Sequence, residues 1–220
     1  MYGGMDPSAS FEKPSGCVVL DAKGNYIQSL HCKSDTEILS FFEPFHLHAI
    51  GIDAPKGLPL KMGLCCLETP AICDCPTNAS RLCERLMRER GFSLFPVTKH
   101  TFPAAKAWIR RGLLLFLRFQ GLGIPTFEVY PTGAKKILFP QVKFPSPKSK
   151  IASRILLQTS LAALIPNLPE PNPKPFSDHV LDALLAAYTV FLFVEKERGE
   201  LVGDAREGEI LIPTTEKKQR

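Results

Sequence analysis

The sequence predicts an α/β fold in which a mixed five-stranded sheet is flanked by helices. Three short apolar segments at the start of the 220-residue chain are separated by turn residues, as in an antiparallel sheet. Later apolar segments alternate with helical patterns, which is typical of parallel strands joined by crossover helices. The first three strands should therefore be antiparallel and the following ones parallel, with an elaborated helical and cysteine-rich crossover inserted before the last of them.

The antiparallel part begins at the N-terminus. We predict strands over Tyr2 to Asp6, Gly16 to Asp21 and Tyr26 to Cys32. Gly24 and Asn25 can adopt the positive φ that a tight hairpin turn needs. The second and third strands should therefore pair directly.

A crossover helix and a central strand follow. Ser34 is a suitable N-cap, and apolar residues at near-helical spacing predict a helix over Asp35 to Phe45. The strand Ala49 to Asp53 is short and lacks polar alternation, as expected of a central strand covered on both faces. We expect an insertion at about 57–123 before the next strand, Thr126 to Tyr130.

The C-terminal part combines proline-rich segments with helices. One helix is predicted over Ser149 to Ile165, a long apolar helix begins near Ser177, and a short strand covers Glu209 to Ile212. We expect a single domain over residues 1–213 and a disordered tail over 214–220.

Composition and charge narrow the function only slightly. With 45% hydrophobic and 22% charged residues, the composition is that of an ordinary globular protein, and the net charge of +5 mildly favours a polyanionic partner. The N-terminus lacks a signal-peptide pattern, and the longest apolar run, Val180 to Val194, is shorter than the roughly 20 residues that span a bilayer. We expect a cytoplasmic protein with no membrane partner; the sequence leaves open whether it forms a homodimer.

Four acidic residues lie where an apolar segment ends or is interrupted: Asp6, Asp53, Glu128 and Asp182. A carboxylate beside a hydrophobic core costs free energy unless a cation, a donor or a proton compensates it. The carboxyl ends of parallel strands lie along one edge of a sheet, so these acids should converge there. Together they would hold one or two Mg²⁺ or Mn²⁺ ions, as in metal-assisted phosphodiester hydrolysis. Taken singly, Asp6 and Asp53 are equally typical of turns, and Glu128 of a solvated strand face.

Asp182 carries the strongest individual signal. Its helix is apolar almost all round and should be buried, where a lone carboxylate must be hydrogen-bonded, neutralised or bound to metal. His179 lies one turn earlier on the same face and is a candidate ligand, general base or cap residue. Asp178 is a weaker metal candidate, since the helix dipole also stabilises an acid in a first helical turn.

Four local strings carry a family resemblance: GMDPSAS, GIDAPKGLP, FEVYP and SDHVLDALLAAYT. They resemble the predicted nucleases of ribonuclease H-like fold known as domain of unknown function 429, and the resemblance extends over residues 2–213. It implies a ribonuclease H-like sheet with metal positions at Asp6, Asp53, Glu128 and Asp182. The string HVLDAL is also similar to the final-helix motif of Holliday-junction resolvases. That similarity makes Asp178 and His179, which precede Asp182 in the same helix, secondary candidates for site residues.

Several basic residues are candidates for contact with nucleic acid. They are Lys56, Arg81, Arg85, Lys148, Lys150 and Arg154. The last three cluster at the start of a predicted helix, whose N-terminus also attracts phosphate, although solvated side chains explain them about as well. The two arginines at 81 and 85 share one helical stripe with Arg88, for which a solvated, salt-bridged face is the preferred interpretation.

Five cysteines lie close together in the predicted insertion: Cys65, Cys66, Cys73, Cys75 and Cys83. Four thiolates can enclose a structural Zn²⁺, but the spacing matches neither a double CxxC ribbon nor a zinc finger. A disulfide is less expected in a chain without a secretion signal. Buried free thiols are the preferred interpretation, since free cysteine behaves as a small hydrophobe.

These observations favour a divalent-metal-dependent nuclease that acts on DNA or RNA. A catalytically inactive nucleic-acid-binding or adaptor protein with the same fold is the main alternative. A small-molecule phosphotransferase is less favoured, because the chain has no glycine-rich phosphate-binding loop.

Overall fold

The computed structural model describes residues 1–9, 13–77 and 79–217. The strands of these residues all lie in one mixed sheet. In chain order they are β1 (Tyr2–Asp6), β2 (Ser15–Leu20), β3 (Tyr26–Cys32), β4 (Ala49–Ile52), β5 (Thr126–Val129), β6 (Gly199–Asp204) and β7 (Gly208–Pro213). Their order across the sheet is β3-β2-β1-β4-β5-β7-β6, so β1 and β4 are central. Residues 218–220 of the predicted tail lie outside the described residues.

The strands pair as predicted for a mixed sheet. β1 is antiparallel to β2, and β2 to β3, whereas β1–β4, β4–β5 and β5–β7 are parallel pairs. This pairing confirms the predicted fold class. The predicted strand Glu209 to Ile212 is present as β7, and the five-stranded sheet is corrected to seven strands, because β6 and β7 form an antiparallel hairpin that extends the sheet beyond β5. Glycine and acidic residues interrupt the apolar pattern of β6, which hides its strand character in the sequence.

The described helices connect these strands. They are α1 (Asp35–Phe42), α2 (Cys65–Glu68), α3 (Leu82–Glu89), α4 (Pro103–Gly121), α5 (Pro131–Leu138), α6 (Ile151–Ala162) and α7 (Asp178–Lys196), with a 3₁₀ turn at Pro70–Ile72. Ser34 caps α1 as predicted, its Oγ accepting a hydrogen bond from Glu37 N at 3.1 Å. α1 ends at Phe42 rather than Phe45, since Pro44 has no N–H with which to continue it. None of the described helices combines the length and the apolarity that a membrane crossing requires.

α7 covers the centre of one face of the sheet. It packs against β1, β2 and β4, and every residue from Val180 to Leu192 is buried. Glycine permits this close approach: a Cβ at Gly4 would lie 2.0 Å from Ala183 O, and one at Gly16 would lie 2.3 Å from His179 O. The helix therefore rests on the sheet backbone itself, which fixes its height above β1.

The opposite face of the sheet is covered by α1 and α4. Ile38 of α1 and Phe116 of α4 share one apolar cluster with Ile50 and Ile52 of β4. Ala49 of β4 belongs to the cluster under α7 instead. β4 is thus buried on both faces, as its lack of polar alternation predicted.

The long crossover between β4 and β5 lies beside α4. Its first part holds only the short helices α2 and α3 and the 3₁₀ turn. A small apolar cluster around Met62, Cys66, Val97 and Ile109 packs α2 against α4, whereas α3 packs against β6 and β7. The crossover therefore has little regular structure of its own near the end of β4.

Candidate metal centre

Three of the predicted acids meet where β1 and β4 end beneath α7. In the parallel pair β1–β4, Met5 lies opposite Ile52, so Asp6 and Asp53 leave the sheet side by side. Asp53 N donates to Met5 O at 2.9 Å, which extends this register by one step. Asp182 approaches from α7, and one carboxylate oxygen of each aspartate lies within 4.8 Å of those of the other two.

Strand alternation explains why these side chains lie on one face of the sheet. In β1, Gly4 contacts α7 while Met5 packs in the cluster on the other face, so Asp6 returns to the α7 side. In β4, Gly51 also lies against α7, and Asp53 follows two positions later. The third carboxylate belongs to α7 itself and faces down onto this point.

His179 joins the aspartates from the first turn of α7. Its Nδ1 lies 2.7 Å from Asp6 Oδ2, and the ring is partly exposed. Ser177 fixes this turn: its Oγ accepts a hydrogen bond from Val180 N at 3.2 Å and lies 2.7 Å from His31 Nε2. His31 supports the turn from β3 and was not predicted, since nothing in the local sequence relates β3 to α7.

Lys148 closes the group on its solvent side. It comes from the loop before α6, and its Nζ donates to Asp182 Oδ2 while half of the side chain stays exposed. The sequence suggested a phosphate contact for this lysine, whereas the structure places it on one of the aspartates. An ammonium group has three donors, so its contact with Asp182 leaves capacity for a second acceptor.

The pKa values of the group reflect acids crowded together with few cations. Burial, reinforced by the negative charges of Asp6 and Asp182, raises the pKa of Asp53 well above its usual value. Burial also raises the pKa of Asp182 to about 6, against the opposing effect of Lys148. The hydrogen bond to Asp6 raises the pKa of His179. Three full negative charges are therefore unfavourable here unless further positive charge is present.

The donor set fits a hard divalent cation. Carboxylate oxygens are the ligands that Mg²⁺ and Mn²⁺ prefer, and Asp6, Asp53 and Asp182 offer them at one point. Among the described residues, Lys148 and His179 are the basic groups in direct contact with these carboxylates. A bound cation would supply the positive charge that these two provide only in part.

Glu128 lies on the other face of the sheet from the three aspartates. Its neighbours Phe127 and Val129 pack on the α7 side, so alternation turns Glu128 the opposite way. There Arg81 Nη1 and Nη2 donate to its two carboxylate oxygens at 2.6 and 2.8 Å, and Lys56 N donates at 2.7 Å. The predicted convergence of four acids is therefore corrected to three.

Arg81 is buried rather than part of a solvated stripe. Its side chain is 2% exposed, and its Nε donates to Glu84 Oε1 at 2.8 Å in addition to the pair with Glu128. Arg85 and Arg88 do lie on the exposed face of α3, with Arg85 Nη1 donating to Ser80 O at 2.7 Å. The predicted solvated stripe is thus corrected for Arg81, whose guanidinium is covered by protein.

The other predicted site residues do not join the group of three aspartates. Lys56 Nζ donates to Thr126 O at 2.8 Å, and burial lowers its pKa. Lys150 is exposed at the N-cap of α6, and Arg154 bonds a backbone oxygen of the segment before α7 at 3.4 Å. Asp178 is partly exposed in the first turn of α7, outside the three grouped aspartates.

The predicted cysteine cluster divides into four residues and one. The Sγ atoms of Cys65, Cys66, Cys73 and Cys75 all lie within 4.8 Å of one another. Cys83 is separate, buried in α3 where its Cβ lies close to Gly203 of β6. The described cysteines are free thiols.

Comparison with known proteins assigns the chain to a family. No curated protein matches it. Among solved structures, the Thermus thermophilus RuvC structure aligns over 86% of this chain and 93% of its own, with 13% sequence identity and a TM-score of 0.43. Residues 4–207 match the model of the family described as Protein of unknown function (DUF429). Because this match covers most of the chain, the protein belongs to the DUF429 family, as its local sequence strings predicted.

Proposed function

We propose that this protein is a divalent-metal-dependent nuclease that hydrolyses phosphodiester bonds of nucleic acid. The observation that carries the proposal is the meeting of Asp6, Asp53 and Asp182, whose carboxylate oxygens lie within 4.8 Å of one another. Two parallel strands and the helix that crosses them deliver these acids to one point. The family resemblance of the same segments to ribonuclease H-like nucleases supports this chemistry.

Asp6, Asp53 and Asp182 would hold Mg²⁺ or Mn²⁺. When bound, such a cation would lower the pKa of a water molecule and stabilise negative charge on phosphate oxygens. The protein fixes the positions of its ligands through backbone structure, since Asp53 N bonds Met5 O and α7 rests directly on Gly4. Little reorganisation of these carboxylates is then needed when substrate binds.

His179 would move a proton in this reaction. Its Nδ1 is held at Asp6 Oδ2, so its orientation is fixed and Nε2 is the ring nitrogen that can exchange a proton. The ring is partly exposed, which gives it access to water or to a leaving oxygen. Lys148 stands at the solvent side, where its ammonium can contact a phosphate oxygen of the substrate.

Glu128 has a positioning role in this proposal rather than a ligand role. Both of its carboxylate oxygens bond Arg81, and one also accepts the N–H of Lys56. Since Glu128 pairs in register with Ile52, this network holds the chain on either side of Asp53. Loss of the network should disturb the aspartate group without removing a ligand.

One contact favours a second function, that of a metal-independent nucleic-acid adaptor. Lys148 already places a positive charge on Asp182. If Lys148 and His179 alone balance the charge of the aspartates in the cell and no metal binds there, the pocket binds nucleic acid without hydrolysing it. An adaptor would bind nucleic acid in a salt-dependent manner and would not respond to Mn²⁺.

The substitution Asp53→Asn tests the nuclease proposal. It keeps the size of the side chain and removes one carboxylate, so Mn²⁺-dependent cleavage should fall by at least about a hundredfold, or roughly 3 kcal/mol of transition-state stabilisation. Cleavage is measured on single-stranded, duplex, hybrid and branched substrates, and Mn²⁺ binding by titration calorimetry. Circular dichroism checks that the variant folds.

Asp204→Asn is the matched control, because Asp204 lies in β6 and pairs with Arg206 away from the aspartate group. It makes the same chemical change and should leave cleavage at the wild-type level. Cleavage that persists in Asp53→Asn would overturn the proposed ligand set. Nucleic-acid binding by the wild type with neither Mn²⁺ binding nor cleavage would select the adaptor instead.

A further inference from the structure

The crossover contains a second group of metal-ligand type, made of four sulfur atoms. Cys65 Sγ lies 3.2 Å from Cys73 Sγ and 3.7 Å from Cys75 Sγ, and Cys66 Sγ lies 3.2 Å from Cys73 Sγ. All four sulfur atoms lie within 4.8 Å of one another. The group is therefore a compact set in which no sulfur stands apart.

These separations match a tetrahedral zinc site. Zn–S bonds of about 2.3 Å at tetrahedral angles place any two sulfurs about 3.8 Å apart. The three measured separations, 3.2, 3.2 and 3.7 Å, lie near that value, whereas the two sulfurs of a disulfide are only about 2.0 Å apart. An iron–sulfur cluster would instead hold its four thiolates farther apart, because several iron atoms stand between them.

The ligands come from two short stretches that have little other support. Cys65 and Cys66 begin the four-residue helix α2, and Cys73 and Cys75 follow the three-residue 3₁₀ turn. Cys66 and Cys73 are buried, while Cys65 is exposed and Cys75 partly exposed, so the group lies just beneath the surface. Cys66 and Cys73 already belong to the small apolar cluster around Met62 and Ile109, and a metal at this place would in addition join the two stretches to each other.

The surroundings also suit the charge of such a site. Four thiolates around Zn²⁺ carry a net charge of −2, which needs a nearby cation or donor. Lys99 Nζ donates to the backbone oxygen of Cys73, which brings an ammonium group to the edge of the sulfur group. That contact also ties the segment before α4 to the cysteine loops.

We propose that Cys65, Cys66, Cys73 and Cys75 bind one structural Zn²⁺ that fixes the crossover. Arg81 follows Cys75 by six positions in the sequence and holds Glu128, which pairs in register with Ile52 of β4. The zinc would thus stabilise the segment that leads to the buried pair of Arg81 and Glu128, without taking part in the reaction. The unusual spacing, two adjacent cysteines followed by Cys-x-Cys, explains why sequence comparison with known zinc motifs did not favour this interpretation.

The test is the zinc content of the full-length chain, purified under reducing conditions without a chelator. Elemental analysis and native mass spectrometry should give one zinc per chain. Cys66→Ser and Cys75→Ser should each lower the zinc content about tenfold or more, because each removes one of four ligands. Cys83→Ala is the matched control and should retain one zinc, since Cys83 is a nearby buried cysteine outside the group.

Two further measurements make the result decisive. Cobalt(II) added to the reduced, zinc-free protein should produce the intense bands of a tetrahedral thiolate site, which decides the question even if a serine variant fails to fold. Asp53→Asn should keep its zinc, which separates this site from the aspartate group. A reduced protein that binds neither zinc nor cobalt, zinc retained at wild-type level in Cys75→Ser, or bound iron in place of zinc would overturn the proposal.

Discussion

Arg81 is the residue that joins the crossover to the sheet. Its guanidinium lies between Glu84 of α3 and Glu128 of β5, and the three side chains are at most 6% exposed. Burial raises the pKa of Glu84 although the arginine acts against this. Removing the arginine would leave two carboxylates buried without their partner, which is far more costly than losing a surface ion pair.

We therefore expect Arg81→Met to lower the free energy of unfolding by about 3–5 kcal/mol. The methionine fills much of the volume but leaves the carboxylates of Glu84 and Glu128 uncompensated. Urea denaturation followed by circular dichroism gives the change.

Arg85→Met is the control for this substitution. Arg85 follows one turn later on the same helix, but it is exposed and bonds only Ser80 among its described partners. Its replacement should change the free energy of unfolding by less than about 0.5 kcal/mol. Equal effects of the two substitutions would show that the buried network contributes no stability.

At the scale of residues, the sequence identified the acids that interrupt apolar segments. Asp182 could be found because its apolar helix makes a buried carboxylate costly, whereas Asp6 and Asp53 gained their weight from the expected topology of the strands that they follow. Glu128 obeys the same rule, but its true partner is Arg81, 47 positions earlier in a crossover with no strong pattern of its own. The alternation of Phe127 and Val129 with Glu128 suggested only a solvated strand face as the alternative, and the sequence could not show which face of the sheet α7 covers.

At the scale of elements, α7 depends on glycine in the strands below it. The helix approaches β1 so closely that a Cβ at Gly4 would lie 2.0 Å from Ala183 O and 2.5 Å from Ala187 N. Both contacts are with backbone, which cannot rotate away as a side chain can. Any added atom must lift the helix that carries Asp182 and His179.

Gly4→Ala should therefore lower the free energy of unfolding by about 3 kcal/mol and weaken Mn²⁺ binding as well. The stability loss follows from forced separation of α7 and β1, and the binding loss from displacement of Asp182. Denaturation and calorimetry on the same preparation measure the two effects.

Gly121→Ala serves as the comparison, since a Cβ at the end of α4 meets nothing within 4 Å. It should leave Mn²⁺ binding unchanged and raise the free energy of unfolding by about 0.5 kcal/mol, because alanine restricts the unfolded chain more than glycine does. A neutral Gly4→Ala would mean that the helix is not seated on β1 as described.

Helices and strands with a strong hydrophobic pattern in the sequence were predicted well, and those without one were not. α7 was identified from its long apolar run and its Ser177 cap, which hold regardless of the surroundings. β6 was missed because a hairpin partner, β7, stabilises a strand that has little apolar character. The sequence located the crossover but did not predict its short helices. For example, α2 is only four residues long and depends on tertiary contacts.

At the scale of the whole molecule, the sheet has two unlike ends. In the antiparallel pair β1–β2, Asp6 lies opposite Gly16 and Tyr2 opposite Leu20, so the turn after Leu20 lies at the end away from the aspartates. Lys148 lies at the aspartate end, and Lys150 follows two positions later at the N-cap of α6. With a net charge of +5, the protein should attract a polyanion toward this basic loop.

Lys150→Ala should weaken nucleic-acid binding to all sequences alike. Loss of one phosphate contact should also reduce the slope of log Kd against log salt concentration by about one. Fluorescence anisotropy with a labelled oligonucleotide over a range of salt concentrations measures both quantities.

Lys23→Ala is the matched control, because Lys23 is an exposed lysine in the turn at the opposite end of the sheet. It changes the net charge by the same amount and should leave the slope unchanged. If both substitutions weaken binding equally, overall charge rather than the loop before α6 governs the interaction.

The order of the elements along the chain determines when the aspartate group can form during synthesis. β1 and β4 precede α7 along the chain, and Asp182 and His179 belong to this helix, which starts only after Ser177. Until that helix has been made, the two strands end in a pair of carboxylates without the third acid of the group and without the histidine that contacts Asp6. The proposed metal site can therefore form only after α7 has been synthesised.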